Sequence, residues 1–251
     1  MQVEFFGGTL PRVFAHRGLA VDAPENTLLA FARAVSAGVR YIETDVHVSH
    51  EGVAIVAHDP DLKRVAGRPV RIDQLTVPEL RRIDLGSAQG FCTLEEALDA
   101  FPETCFNIDV KTDAAALPIS RAIARTRAEK RVLIASFSDA RRKRVLAALP
   151  RVASSAGSAT IARVRAALSA GAVRRALADV SAVQVPERYG ALRIVSRTFV
   201  DRVHAAGHEV HVWTVNETDD MQRLLDLGVD GIITDRADQA LDVVRRRSPR
   251  P

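Results

Sequence analysis

Tyr41-Ile-Glu43-Thr-Asp45-Val-His-Val48 reads as a strand of β-branched and aromatic residues, and a Glu51-Gly52 turn leads from it into Val53-Ala-Ile-Val-Ala57 and His58-Asp59-Pro60. Side chains two apart on a strand share a face, so Glu43 and Asp45 project together. Upstream, Val13-Phe-Ala15 is another short apolar run, and it ends at His16-Arg17-Gly18. Each apolar run delivers a histidine at its C-terminal end, beside a pair of carboxylates. That set suits a divalent cation flanked by an acid and a base, and it marks the chain as an enzyme.

On either side of this stretch, apolar runs alternate with amphipathic Ala/Leu/Arg segments. Strands are expected at 13–15, 40–46, 105–111, 132–136, 152–156, 181–185, 209–215 and 231–234, with helices near 27–37, 94–101, 114–126, 139–149, 161–170, 198–206, 218–227 and 237–246. Such alternation implies parallel strands joined by crossover helices. Eight units in 251 residues fit an α/β fold of the TIM (β/α)₈ barrel type better than an open sheet. No Gly-rich fingerprint follows the first strand, which weakens a dinucleotide-binding alternative. No linker-like stretch divides the chain, so residues 1–251 are read as one barrel domain. One unit is irregular: residues 61–92 include Pro69, Pro78, Gly86 and Gly90 and show poor strand or helix continuity. This excursion would leave the second unit at the catalytic rim, as a lid or substrate-shaping insertion, or more plainly as a structural cap.

Composition narrows the class. Hydrophobic residues make up 47%, enough for a substantial core. No apolar run approaches the roughly 18 residues of a membrane span, so no integral membrane segment is expected. Residues 1–11 lack a basic start and a long apolar stretch, which argues against a signal peptide. Cys92 and Cys105 have no metal-binding spacing and read as reduced thiols of a cytoplasmic protein. The net charge is +4, with 31 Arg and only 4 Lys. The arginines scatter along helical segments such as Ala140-Arg-Arg-Lys-Arg144 and read as solvated faces. Without aromatic interleaving or a binding motif, no nucleic-acid partner is expected. The tail from Arg245 to Pro251 reads as frayed.

Barrel enzymes assemble their sites from C-terminal strand ends. His16 ends the first strand, Glu43 and Asp45 close the second, Asp109 and Lys111 close the third, and Trp213 lies near the end of the seventh. Three carboxylates converging on one point would repel without a cation. Hard oxygen ligands without clustered thiolates point to Mg²⁺, Ca²⁺ or Mn²⁺ rather than zinc. The plainer reading of each acid is a surface or salt-bridged group. Lys111, in a chain whose default cation is arginine, suits charge stabilisation on a phosphoryl oxygen or tuning of a ligand. Arg17 has the fork geometry to hold phosphate oxygens. Pro24-Glu25-Asn26-Thr27 reads as a turn into a helix, with Asn26 or Thr27 as N-cap and Glu25 orienting Arg17 or touching the site. His47, His50, His204 and His208 read as surface or packing residues. His211 shares strand parity with Trp213 and would lie deep in the barrel.

Together these pieces resemble the glycerophosphodiester phosphodiesterase family. The matching segments are His16-Arg17-Gly18, Ala23-Pro24-Glu25-Asn26-Thr27, Glu43-Thr-Asp45-Val, His58-Asp59-Pro60, Asn107-Ile-Asp109-Val-Lys111, Trp213-Thr-Val-Asn216 and Asp230-Gly-Ile-Ile-Thr-Asp235, in family order over nearly the whole chain. The resemblance implies a TIM barrel that hydrolyses small-molecule glycerophosphodiesters to glycerol 3-phosphate and an alcohol such as choline or ethanolamine. It further implies His16 and His58 as the acid/base pair and Glu43, Asp45 and Asp109 as ligands of a divalent cation. Arg17 and Lys111 become phosphate-side cations, with Trp213 at the substrate, and the excursion matches the family's inserted subdomain. The family usually carries glutamate where this chain has Asp109, which bears on ligand distance and metal preference. A lesser departure is Glu51-Gly52, where an Asp-Gly turn is common.

Three competitors stand beside this reading. A lysophospholipase D-type enzyme would want an apolar rim, which Leu62, Val65, Val70, Leu75, Val77, Leu80 and Phe91 could supply. A non-catalytic barrel module would not require His16, His58, Glu43 and Asp45 at the rim. A metal-dependent amidohydrolase would want a His-x-His pair, which His16-Arg17-Gly18 lacks.

Overall fold

The structure, a computed structural model, describes residues 4–247. Residues 1–3 and 248–251, the latter the end of the basic tail, lie outside the described residues. The strands are β1 (Arg12–His16), β2 (Tyr41–Val48), β3 (Ala54–Val56), β4 (Cys105–Val110), β5 (Val132–Ala135), β6 (Ala153–Ser154), β7 (Ala182–Pro186), β8 (Arg188–Tyr189), β9 (Leu192–Arg193), β10 (Glu209–Trp213) and β11 (Gly231–Thr234). Eight of them pair in parallel in the order β6-β5-β4-β2-β1-β11-β10-β7. The seam between β6 and β7 is joined by a parallel bridge from Ser155 to Ala182. Two backbone bonds reinforce it, Ser181 N to Ser154 O at 2.7 Å and Ala156 N to Ala182 O at 3.0 Å. This is the expected barrel, and each expected strand coincides with one of its staves. The 53–57 run forms β3, which pairs antiparallel with β2 and stands off the barrel path.

Between the strands lie α1 (Leu28–Ser36), α2 (Lys63–Ala66), α3 (Val77–Arg81), α4 (Leu94–Ala100), α5 (Ala116–Arg125), α6 (Asp139–Ala148), α7 (Ser158–Ala166), α8 (Ala170–Ala176), α9 (Arg197–His204), α10 (Thr218–Asp226) and α11 (Ala237–Arg247). Thr27 is the N-cap of α1, its hydroxyl accepting from Ala30 N at 3.2 Å. Where one helix is expected over 161–170, the chain makes two. Ser169 accepts from Ala172 N at 3.2 Å and starts a new helix, so the segment breaks there. Among the described residues no helix is long and apolar enough to cross a membrane.

Strand parity sorts the core. Phe14, Tyr41, Cys105, Leu133, Ala153, Ala182 and Ile233 fill the barrel interior together with Phe5. At the N-terminal end of the staves Arg12 is sealed in by a two-pronged bond to Glu209, at 2.8 Å on each oxygen, and a 2.6 Å bond to Tyr41. Gly231 is required in this layer, because a Cβ there would lie 2.7 Å from the His211 ring and 3.0 Å from Phe14. The excursion is not structureless. It contains α2, a 3₁₀ turn at Ile72–Gln74 and α3, and it packs Ile55, Ala57, Leu62, Ile72, Leu80, Ile83 and Phe91 into a small core of its own. The apolar residues read as a possible lipid rim are thus partly spent: Leu62 and Leu80 are fully buried.

Candidate active site

The C-terminal ends of β1, β2 and β4 place the acids. In register, His16 sits beside Glu43, Glu43 beside Asn107, and Asp45 beside Asp109, all on inward-facing positions. They open into a cavity of about 620 Å³ whose lining includes all eight residues singled out from the sequence: His16, Arg17, Glu43, Asp45, His58, Asp109, Lys111 and Trp213. The opposite wall is apolar and includes Phe137, Ile161, Tyr189, Ile194 and Trp213. Phe137 meets Trp213 edge-on, with centroids 5.6 Å apart.

Lys111 Nζ bridges two acids, 2.6 Å from Asp45 Oδ1 and 2.7 Å from Asp109 Oδ2. Asp45 Oδ2 also lies 3.1 Å from Arg17 Nε and accepts from Asn26 Nδ2 at 2.9 Å. Burial opposes the charge on Asp45, but Lys111 and Arg17 outweigh it and hold the carboxyl below its usual range. The reverse holds at Glu43, where burial and then the charge of Asp45 push the pKa upward. Asp109 is raised too, chiefly by burial, despite Lys111. Burial works against the Lys111 ammonium, yet Asp109 and Asp45 hold its pKa up to about 12.

The two histidines are held alike. His16 Nδ1 is 2.6 Å from Asp235 Oδ1, and His58 Nδ1 is 2.8 Å from Asp59 Oδ1. A carboxylate can only accept, so Nδ1 is the donor in each ring and Nε2 is left for other work. Burial pulls the His16 pKa down, but the bond to Asp235 and the charge of Glu43 raise it overall. Asp235 is fixed in turn by Asn216 Nδ2 at 2.8 Å. On the other flank, Glu25 accepts from Arg17 at 2.9 Å and from Arg64 of α2 at 2.5 Å, and Arg64 reaches Asp59 at 2.6 Å. This chain of ion pairs ties the excursion to both Arg17 and His58. Glu25 therefore orients Arg17, and Asn26 serves Asp45 rather than capping α1.

Among the described residues no three His, Cys, Asp or Glu side chains stand close enough together to enclose an ion. The carboxylates do not converge freely, since Lys111 lies between Asp45 and Asp109. Their chemistry nevertheless fits a hard cation. Three buried carboxylates face one cavity, and burial raises Glu43 and Asp109, a penalty on the charged form that a bound cation would offset.

Sequence reading gave no role to Asp235, Asn216, Asp59, Arg64 or Phe137. Asp235 follows β11 just as Arg17 follows β1, so the strand-end rule applied to the last strand finds it; Phe137 carried no signal. Of the remaining histidines, His47 Nε2 contacts the His58 carbonyl at 3.1 Å, which helps fix that loop. His204 pairs with Asp230 at 2.7 Å, away from the cavity, and His211 is fully buried.

Residues 16–239 match the sequence pattern of the Glycerophosphoryl diester phosphodiesterase family. The chain belongs to this family. It is a phosphodiesterase, and it is 42% identical over 252 residues to a probable glycerophosphodiester phosphodiesterase 2 of Mycobacterium tuberculosis, covering 98% of this chain and 95% of the relative. It is also 26% identical over 263 residues to a human lysophospholipase D, covering 90% of this chain and 83% of that one. Among solved structures, an Oleispira antarctica phosphodiesterase in complex with the product sn-glycerol-3-phosphate shares the fold. The TM-score is 0.80 at 22% identity, over 94% of this phosphodiesterase and 97% of that chain.

Proposed function

We propose that this phosphodiesterase hydrolyses glycerophosphodiesters to glycerol 3-phosphate and a headgroup alcohol by acid–base catalysis between His16 and His58, at a divalent cation held by Glu43, Asp45 and Asp109. The observation that carries the reading is the matched pair of clamps, Asp235 on His16 and Asp59 on His58, each fixing a ring with Nδ1 protonated at the wall of one cavity. The product held by the Oleispira phosphodiesterase supports a ligand of that size and charge. His16, its Nε2 unprotonated, takes the proton of the attacking hydroxyl, from water or from the glycerol itself. As the bond from phosphorus to the headgroup oxygen breaks, His58 delivers a proton to the departing alkoxide. Arg17 and Lys111 face the phosphate oxygens and offset their charge. Mg²⁺, Ca²⁺ or Mn²⁺, when bound, would supply Lewis-acid polarisation of a phosphoryl oxygen. The free thiols Cys92 and Cys105 suit a cytoplasmic setting.

A second reading, a lysophospholipase D acting on lipid-bearing diesters, is favoured by the apolar wall of Phe137, Ile161, Tyr189 and Ile194, which could accept an acyl chain. One screen separates the two. Metal-stripped protein is assayed on glycerophosphocholine, glycerophosphoethanolamine and lysophosphatidylcholine, with each metal added back. The first reading expects metal-restored release of choline and ethanolamine, and the second expects a preference for the lysolipid. Full turnover in excess chelator, with metal absence verified by elemental analysis, would falsify the metal-assisted mechanism.

A further inference from the structure

The cavity continues below its charged ring. On β4, Asn107 lies two residues before Asp109 and beside Glu43 in register, so it faces the same cavity one layer deeper, about 6–7 Å down the strand. It is only 1% exposed, and its side-chain Oδ1 has no hydrogen-bond partner among the described residues. Buried amide oxygens are nearly always satisfied, so an unpartnered one on a side chain that lines a cavity points to a ligand donor. A second carbonyl faces the cavity from β7. Glu209 only accepts, so its 3.0 Å contact fixes the proton of His211 on Nε2. Nδ1 of that ring then accepts from Gln184 Nε2 at 3.3 Å. The amide nitrogen of Gln184 is committed downward and its Oε1 is the free end, at the cavity lining.

Two uncharged acceptors beneath a charged ring match a neutral polyol attached to a phosphate. With the phosphate at Arg17 and Lys111, the terminal hydroxyl of a glycerol ester reaches about 5 Å beyond its ester oxygen, comparable with the spacing of one strand layer. We propose that Asn107, with Gln184 across the floor, accepts hydrogen bonds from the glycerol hydroxyls and sets a preference for glycerol esters over esters lacking the terminal hydroxyl. The inference rests on the glycerophosphodiester reading and names a residue that recognises the substrate.

The test uses two 4-nitrophenyl phosphodiesters with the same leaving group. One carries glycerol; the other carries propane-1,2-diol, which keeps the neighbouring hydroxyl and lacks only the terminal one. Wild type should favour the glycerol ester in kcat/KM by about tenfold or more, because the deoxy ester leaves Asn107 unpaired. Asn107→Leu should bring the ratio close to one. If that variant does not fold, Asn107→Ala is read in the same way, along with inhibition by glycerol 3-phosphate against propane-1,2-diol phosphate. A ratio that stays at the wild-type value while both rates fall together assigns Asn107 a structural role and overturns the inference. So does a loss confined to glycerophosphoethanolamine and absent with glycerophosphocholine, which would place a headgroup ammonium on the floor. If wild type cleaves both aryl esters equally, the subsite alone is refuted, whereas no cleavage of any glycerol ester refutes the functional reading itself.

Discussion

Replacing Asp235 by Asn should be more damaging than deleting its side chain altogether. Asp235 Oδ1 accepts from His16 Nδ1 at 2.6 Å while Oδ2 accepts from Asn216 Nδ2 at 2.8 Å. Asn216 cannot turn over, because its Oδ1 already accepts from Thr234 Oγ1 at 3.1 Å and from Asp235 N at 3.0 Å. In Asp235→Asn the new amide must therefore offer its oxygen to Asn216 and its NH₂ to His16. That donor forces His16 Nδ1 to accept and puts the ring proton on Nε2, where the base function is lost. General acid–base catalysis is worth about 10²–10⁴-fold, and a comparable tautomer error in a Ser–His–Asp triad costs about 10⁴-fold. Asp235→Asn should fall in that range for kcat on glycerophosphocholine. Asp235→Ala leaves both tautomers accessible, and the Asp235 side chain is half exposed, so the lost charge is largely screened; a loss of about tenfold is expected. The double variant Asp235→Asn/Asn216→Asp should recover most of the rate, because position 216 can then accept from the amide and let its oxygen face His16. Steady-state kinetics with thermal unfolding as a folding control decide the matter. Equal losses in the Asn and Ala variants, or no recovery in the double variant, would refute the tautomer argument.

His58→Ala should lose much less rate on an aryl phosphodiester, whose leaving group needs no proton, than on a choline ester; equal losses would remove His58 as the acid. Asp109→Glu, which extends the carboxylate by about 1.5 Å, should shift relative activity toward Mg²⁺ and away from Ca²⁺ in paired metal titrations, and an unchanged ratio would show that β4 has compensated. Burial raises the Glu209 pKa, but the Arg12 bonds outweigh it and set the pKa at about 2, below the ordinary 4.5. A depressed carboxylate contributes stability that is present above the unfolded value near 4.5 and is lost as pH falls toward the folded value of about 2. Glu209→Gln should therefore unfold at a lower temperature than wild type at pH 6, with the gap narrowing between pH 4.5 and 2.5; a constant gap would contradict the linkage.

The staves were legible because parallel strands buried on both faces read as apolar runs bounded by turns, as Val132–Ala135 does, while Cys105–Val110 keeps that character on one face and carries Asn107 and Asp109 on the other. What escaped was decided by single contacts. Ser169 breaks one expected helix into α7 and α8 through one hydroxyl, and the hairpin of β8 and β9 has only two residues in each strand, too few for any periodicity. The excursion looked irregular because its elements are short. Its order comes from packing against β3 and from Arg64 reaching Glu25 and Asp59, and neither leaves a pattern in the order of residues.

The same division runs through the site, for a physical reason. Glu43, Asp45, His58 and Lys111 were legible because their own chemistry, placed at a strand end, is unusual for a solvated or packed position. Asp235 also stands at a strand end, but its task was not legible, because that task lies in a partner 219 residues away, and His16 meets it only because closure of the barrel makes β1 and β11 neighbours. An open sheet with the same strands at its two edges would contain both residues and no clamp. Asn107 is the extreme case. In sequence it heads the Asn107-Ile-Asp109-Val-Lys111 segment without a task of its own, and the cavity above it and the missing partner on its oxygen point to one. On the proposed mechanism, residues that would act by charge or proton transfer declare themselves by type, whereas those that would hold, orient or measure the substrate are defined by geometry and become visible once the chain has folded.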